Sequence, residues 1–116
     1  MELDQLIGKG GYASTAMVSK EVVWEHKDKH GKTVTDKFDV FVLKELSFAA
    51  SERIHSAKPG EQASRIITEY VRLGDDGSQQ FKFEDACKLA PSLGVALVDV
   101  VTEVISEGSK EGDEGN

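Results

Sequence analysis

The chain has 116 residues, of which 39% are hydrophobic and 30% are charged, and its net charge is −7. This length and composition predict one globular domain with an ordinary hydrophobic core. Because nucleic acids and anionic membranes attract basic surfaces, the negative charge argues against both as partners.

The chain opens with residues 1–14, which include three glycines and predict a flexible Gly-rich arm. Apolar and polar residues then alternate from Thr15 to Glu25, where β-branched and aromatic residues favour a strand. A polar segment at residues 27–32 predicts a turn. Alternation resumes from Thr33 to Leu43, with Phe38, Val40 and Val42 on one face and Phe41 and Leu43 on the other. The two segments predict a β-hairpin.

The apolar spacing changes to a helical period after residue 46. Ser47 is a helix-capping residue type and predicts a helix over 48–57, which Pro59-Gly60 ends. An apolar stripe at spacings of three and four predicts a second helix over 61–73, followed by a loop at 74–78. A short helix is predicted within 81–90, with Phe83, Ala86 and Cys87 facing inward.

A long apolar helix is predicted to begin at Pro91, because proline is tolerated in a first helical turn. One side of this helix carries Leu93, Leu97, Val100, Val101 and Val104. Further apolar positions make its apolar arc wider than one contact stripe needs, so we expect the helix to be central to the core, to contact a partner, or both. These further positions are Val95, Val98 and Ile105.

The order of the elements predicts an α+β fold, with an N-terminal β-hairpin followed by a small bundle of about four helices. We expect a single domain over residues 15–106. Residues 107–116 contain mostly Gly, Glu, Ser, Asp and Lys, so we expect a disordered acidic tail there.

The glycine pattern at residues 6–14 resembles the Gly-rich loop of a protein kinase, and Lys44, directly after Val42 and Leu43, resembles the strand lysine of a kinase. The His-Arg-Asp and Asp-Phe-Gly motifs of a kinase are absent from the sequence. A P-loop would need Gly-Lys followed by Ser or Thr. The sequence therefore predicts no phosphate site, and the glycines indicate an arm that is flexible or orders on a partner.

No residue set predicts catalysis, a cofactor or a metal. His26 and His30 flank the hairpin turn and are interpreted as solvated, and Cys87 as a buried small hydrophobic residue. A single cysteine excludes an intramolecular disulfide, and no apolar run reaches the length of a membrane span, so the sequence predicts a cytoplasmic protein. The only arginines, Arg53, Arg65 and Arg72, are expected to cover apolar surface or pair with acids.

Most of the chain resembles the tail assembly chaperones of long-tailed bacteriophages over residues 22–105. The resemblance includes a hairpin with a glycine turn, a first helix opened by a short Lys-Glu-Leu-Ser phrase, and a long apolar helix before an acidic tail. These stretches are Val22–His26, His30–Val34, Lys44–Ser47, Phe81–Ala86 and Leu93–Ile105. The Gly-rich residues 8–11 have no counterpart in this resemblance.

The resemblance implies a non-enzymatic chaperone in the infected host's cytoplasm that is absent from the mature virion. Such a protein binds the tape measure protein and promotes polymerisation of the tail tube protein around it. A longer form made by a programmed frameshift is implied as a further partner, and a homo-oligomer is left open. The alternative is a minor virion component, such as a tail tube or head–tail joining subunit.

A chaperone for helical segments should present apolar surface in a groove or along a helix. We therefore predict that the surplus apolar residues of the last helix, together with two aromatic residues of the hairpin, contact the partner. The candidates are Trp24, Phe41, Val95, Val98 and Ile105.

Overall fold

The computed structural model describes the backbone of residues 1–114 and the side chains of residues 1–108. Within these residues the chain forms five helices and four strands. In chain order they are α1 (Leu3–Gly8), β1 (Met17–Lys27), β2 (Thr33–Leu43), α2 (Phe48–His55), α3 (Gln62–Tyr70), β3 (Val71–Leu73), β4 (Gln79–Gln80), α4 (Phe83–Ala86) and α5 (Pro91–Glu114).

The predicted β-hairpin is confirmed. The strands β1 and β2 are antiparallel and in register over eleven residues each, from Met17 opposite Leu43 to Lys27 opposite Thr33. All four strands form one antiparallel sheet in the order β1-β2-β3-β4. Because β3 pairs only with Phe41 and Val42 of β2, the turn end of the hairpin extends beyond the two short strands.

One face of the hairpin forms the floor of the core. Val22, Val40 and Val42 are almost completely buried on this face, and Phe38 packs beside them, as the alternation predicts. On the opposite face, Val23 of β1 is exposed. A strand that alternates in this way buries one face and leaves the other in contact with solvent.

Helix α5 covers the buried face, and α3 packs against α5. The buried residues of both helices join the valines of the hairpin in one core cluster. The prediction that the last helix is central to the core is confirmed. The core-facing residues of α5 are Leu97, Val100, Val101 and Val104, all of them buried.

The α+β class is confirmed, but the bundle of about four helices is not. Four helices follow the hairpin, yet the chain also returns to the sheet through β3 and β4. The helix predicted to run to Leu73 ends at Tyr70, because Val71 takes an extended conformation and pairs with Val42. The β-branched Val71 is completely buried there, so sheet pairing overrides the helical spacing.

Helix α1 is an element that the sequence pattern did not predict. Glu2 and Gln5 form a capping box at its start. At its end the backbone N–H of Gly10 donates to Ile7 O and that of Gly11 to Leu6 O. Gly10 has a φ of +97°, and a Cβ on Gly11 would lie 2.7 Å from Leu6 O. The glycines that resemble a kinase loop therefore end a short helix. The flexibility of residues 1–14 stays a prediction.

Helix α5 is longer than predicted. Its backbone is helical to Glu114, nine residues beyond Ile105. No proline interrupts residues 92–114, and the Glu, Ser and Lys residues there are compatible with a helix. The disorder predicted for residues 107–116 stays a prediction, and residues 115–116 lie outside the described part of the chain.

Candidate partner-binding groove

A groove with a volume of about 320 Å³ lies between α3, α4 and the first three turns of α5. Most of the side chains that line it are apolar or small. They are Ala63, Ser64, Ile67, Ala86, Cys87, Leu89, Ala90, Pro91, Gly94, Val95, Val98 and Asp99. An open, largely apolar groove between helices is the kind of surface that receives a helix from another chain.

Two of the five predicted contact residues meet in this groove. Val95 is 60% exposed and Val98 is half-buried, and both line the α5 wall. Ile105, which is 46% exposed, lies beyond the groove further along the same helix. The residues 95, 98, 102 and 105 follow spacings of three, four and three, so they share one face of α5. Thr102 is the polar member of this stripe.

Gly94 contributes no side chain to the α5 wall of the groove, so the wall is low at this position. A Cβ built on this residue would meet no atom within 4 Å. Glycine inside a helix costs about 0.5–1 kcal/mol relative to alanine. Since packing within the described chain does not require a glycine at this place, the low wall leaves room for atoms of another molecule.

The prediction that Cys87 is buried is wrong. Helix α4 has only four residues and ends at Ala86, so Cys87 caps the helix and does not continue its inward face. Its side chain is exposed and lies at the rim of the groove. Ala86 is buried, as predicted, and Phe83 is half-buried.

Trp24 lies away from the groove, on the buried side of the hairpin. Its indole Nε1–H donates to Ser92 Oγ at 2.9 Å, which fastens β1 to the start of α5. Its ring stacks on His26 at a centroid distance of 3.7 Å, and His26 Nε2 lies 2.6 Å from Asp36 Oδ2. His26 is therefore a half-buried strand residue, whereas it was interpreted as solvated. A role of Trp24 in partner binding stays a prediction.

Phe41 lies on the opposite face of the sheet from the core. It is half-buried and stands across from Ser19 in the register of β1 and β2. The structure thus places Val95 and Val98 together, while Trp24, Phe41 and Ile105 lie apart from them. The residues that α3 and α4 contribute to the groove were not predicted as contacts, because their meeting with α5 depends on the tertiary fold.

Helix α3 carries a buried carboxylate, that of Glu69, which does not line the groove. Glu69 is 3% exposed, and its two oxygens accept hydrogen bonds of 2.8 Å each from Nε and a terminal nitrogen of Arg53. Arg65 approaches the same carboxylate at 3.6 Å. The hydrogen bond from Arg53 holds the pKa of Glu69 below its ordinary value, although burial acts in the opposite direction.

The other arginine contacts also support α3. The Arg65 guanidinium lies 3.8 Å above the Phe83 ring, which joins α3 to α4. Arg72 donates from one terminal nitrogen to the carbonyls of Thr68, Glu69 and Val71, at the C-terminal end of the helix. The expectation that the arginines pair with acids is confirmed for Arg53 and Arg65.

The described residues contain neither a metal-binding cluster nor a helix that could span a membrane. No three His, Cys, Asp or Glu residues in this part of the chain are arranged to hold a metal ion. No helix in the same part is both long and apolar enough to cross a membrane.

Comparison with known protein families identifies a match over most of the chain. The family described as phage tail assembly chaperone (TAC) matches residues 4–105. This range contains the groove and the core, and it also contains the Gly-rich residues 8–11, which the resemblance drawn over residues 22–105 had left out. A search of the curated proteins and a search of the solved structures found no match.

Proposed function

The chain belongs to the phage tail assembly chaperone family, and from that premise we propose that it binds a helix of the tape measure protein in the groove between α3, α4 and α5. On this proposal the chaperone keeps the tape measure protein soluble and promotes polymerisation of the tail tube protein around it, without catalysis. It acts in the cytoplasm of the infected host and is absent from the mature virion.

The observation that carries this proposal is the exposed apolar wall of α5. The helix buries one stripe in the core and still presents Val95 and Val98 to the groove. An unpaired amphipathic helix would reduce its own exposed apolar surface by lying along that wall. The net charge of −7 would keep the complex of the two chains soluble.

The carboxylate of Asp99 supports a partner helix that carries a basic residue beside its apolar stripe. Asp99 is exposed and lines the groove, whereas Glu103, one turn further along α5, pairs with Lys20 of β1. A Lys or Arg residue on the partner would lie near Asp99. Because exposed charge pairs contribute mainly to association rate and register, the apolar contacts would supply most of the affinity.

Replacing both Val95 and Val98 with Asp is expected to weaken binding of a tape measure fragment by about a hundredfold. Each valine contact is worth about 1.5 kcal/mol, which corresponds to about a tenfold change in affinity. The measurement is co-expression with the fragment, followed by quantification of the soluble fraction and of the affinity. Val23→Asp is the matched control, since Val23 is an exposed valine on the open face of the sheet.

Replacing Ile105 with Asp tests whether the contact continues along α5. Circular dichroism would first establish that each variant is folded. Undiminished binding by a folded Val95→Asp/Val98→Asp protein would rule out the groove as the site for the tape measure protein.

The alternative function is that of a minor structural component of the virion. The two functions differ in whether the protein is present in the mature virion. Mass spectrometry of purified virions is expected to find the tube and tape measure proteins and not this chain. Finding it at a stoichiometric level would favour the structural alternative.

A further inference from the structure

We propose that the groove also receives helix α1 of a second copy of this chain, so that the free protein associates head to tail. The inference concerns the same groove as the proposed function, but it does not depend on the tape measure protein. It starts from two apolar surfaces of the described chain that have no partner within it.

The first surface is α1 itself. Leu3 is 67% exposed and Leu6 is 48% exposed, and no residue of the helix is buried. Leu3, Leu6 and Ile7 stand at spacings of three and four, so they form one apolar stripe. A helix of six residues is marginal in water without tertiary contacts. Docking of this stripe would supply such contacts and remove two exposed leucines from water.

The second surface is the groove, which α1 of the same chain does not occupy. The arm that carries α1 is fastened near the end of β2, where Ser14 N–H donates to Glu45 Oε2 and Lys44 N–H donates to Ala16 O. Ser14 also lines a cleft with Val104 and Glu107, on the β1 side of α5. The groove lies on the α3 side of α5 and near its other end. A second copy can supply α1 from outside without crossing α5.

Charges at the two ends of α1 match charges at the two ends of the groove. Asp4 lies in the first turn of α1, and Lys9 caps its end. At one end of the groove Lys88 is exposed between two lining residues, and at the other end Asp99 lines the wall. An α1 that runs parallel to α5 places Asp4 near Lys88 and Lys9 near Asp99.

The α5 wall of the groove is long enough for α1 to lie along it. Asp4 and Lys9 are separated by about 7.5 Å along a helix axis, and the α5 wall from Pro91 to Asp99 measures about 12 Å. The low wall at Gly94 allows the α1 backbone to approach α5 closely. Each copy then offers α1 to one neighbour and its groove to another, which is a heterologous, head-to-tail interface.

Two variants test the proposal without any other protein. Replacing Leu3 and Leu6 with Ser removes the apolar stripe of α1, and replacing Val95 with Asp charges the groove. All three residues are exposed, so both variants are expected to fold. The wild-type mass, measured by sedimentation velocity from micromolar to submillimolar concentrations, is expected to rise above that of one chain. Each variant alone is expected to stay monomeric, with self-association weakened by at least about tenfold.

Mixing the two variants is the decisive measurement. The Val95→Asp chain retains α1 and the Leu3→Ser/Leu6→Ser chain retains the groove, so the equimolar mixture is expected to form dimers that grow no further. Phe48→Ser is the control, because Phe48 is an exposed apolar residue outside both surfaces, and it is expected to associate as the wild type does.

Three results would overturn the proposal. They are a wild type that remains monomeric throughout, a mixture that does not form dimers, and self-association that survives in both single variants. Because no tape measure fragment is present, loss of fragment binding in the separate experiment would leave this result unchanged. Failure of either proposal is therefore recognised independently of the other.

Discussion

Replacing Arg53 with Ala is expected to lower the free energy of unfolding by about 2 kcal/mol, because it leaves the buried carboxylate of Glu69 without its bidentate partner. The loss stays below that of a fully buried ion pair, because half of the Arg53 side chain is exposed to solvent. Arg53 supplies both hydrogen bonds of 2.8 Å, whereas Arg65 approaches only to 3.6 Å. Guanidinium chloride unfolding followed by circular dichroism measures the change.

Glu52→Ala is the matched control for this prediction. Glu52 precedes Arg53 on α2, is exposed, and takes part in no ion pair within the described residues. Its replacement is expected to change the free energy of unfolding by less than about 0.5 kcal/mol. A loss below about 0.5 kcal/mol for Arg53→Ala would show that the pair does not stabilise the fold.

The same ion pair makes stability depend on pH. Because the folded-state pKa of Glu69 lies below its ordinary value of 4.5, its stabilising contribution is present above that pH and is lost as the pH falls through the folded-state pKa. The difference in unfolding free energy between the wild type and Glu69→Gln is therefore expected to shrink below about pH 4.5. A difference that stays constant between pH 7 and pH 3 would contradict this assignment.

Replacing Leu97 with Ala is expected to destabilise the chain by about 3–4 kcal/mol and to lower its melting temperature by more than about 10 °C. Leu97 is completely buried in the core cluster that joins α5 to the hairpin valines. Truncation removes apolar contacts and leaves a cavity that the close-packed surroundings fill only partly. Thermal and denaturant unfolding both report the effect.

Val95→Ala provides the comparison for Leu97→Ala on the same helix. Val95 points into the open groove, and alanine is the better helix former, so its replacement is expected to change stability by less than about 0.5 kcal/mol. Equal effects at the two positions would mean that α5 does not pack on the sheet with its Leu97 side.

Local patterns were sufficient to predict the elements that form the framework of the fold. Alternating residues predict the hairpin and place Phe38, Val40 and Val42 on one face, and the structure shows that this face is the buried one. Ser47 caps α2 through a hydrogen bond from Ala50 N–H, and the stripe through Leu97 and Val104 identifies the buried side of α5. In each case the signal lies within one element, so its period or its capping residue type is visible in the sequence.

The remaining features depend on contacts between elements. Strand β3 forms because Val71 pairs with Val42 of β2. The burial of Glu69 depends on its ion pair with Arg53, which lies sixteen residues earlier in the chain. Val95 and Val98 were predicted as contact residues because they widen the apolar arc of α5. The groove also needs walls from α3 and α4, and the short α4 invalidated the helical spacing that placed Cys87 inward.

The placement of α5 has a consequence for how the protein is made. The hairpin is synthesised early, yet the partner of its valine face comes from residues 97–104, and the bond between Trp24 and Ser92 joins positions 68 residues apart. Until Val104 has left the ribosome, α5 cannot cover the hydrophobic side of the hairpin. Nascent chains are therefore expected to be prone to aggregation for most of their synthesis, and to fold only when translation has passed α5.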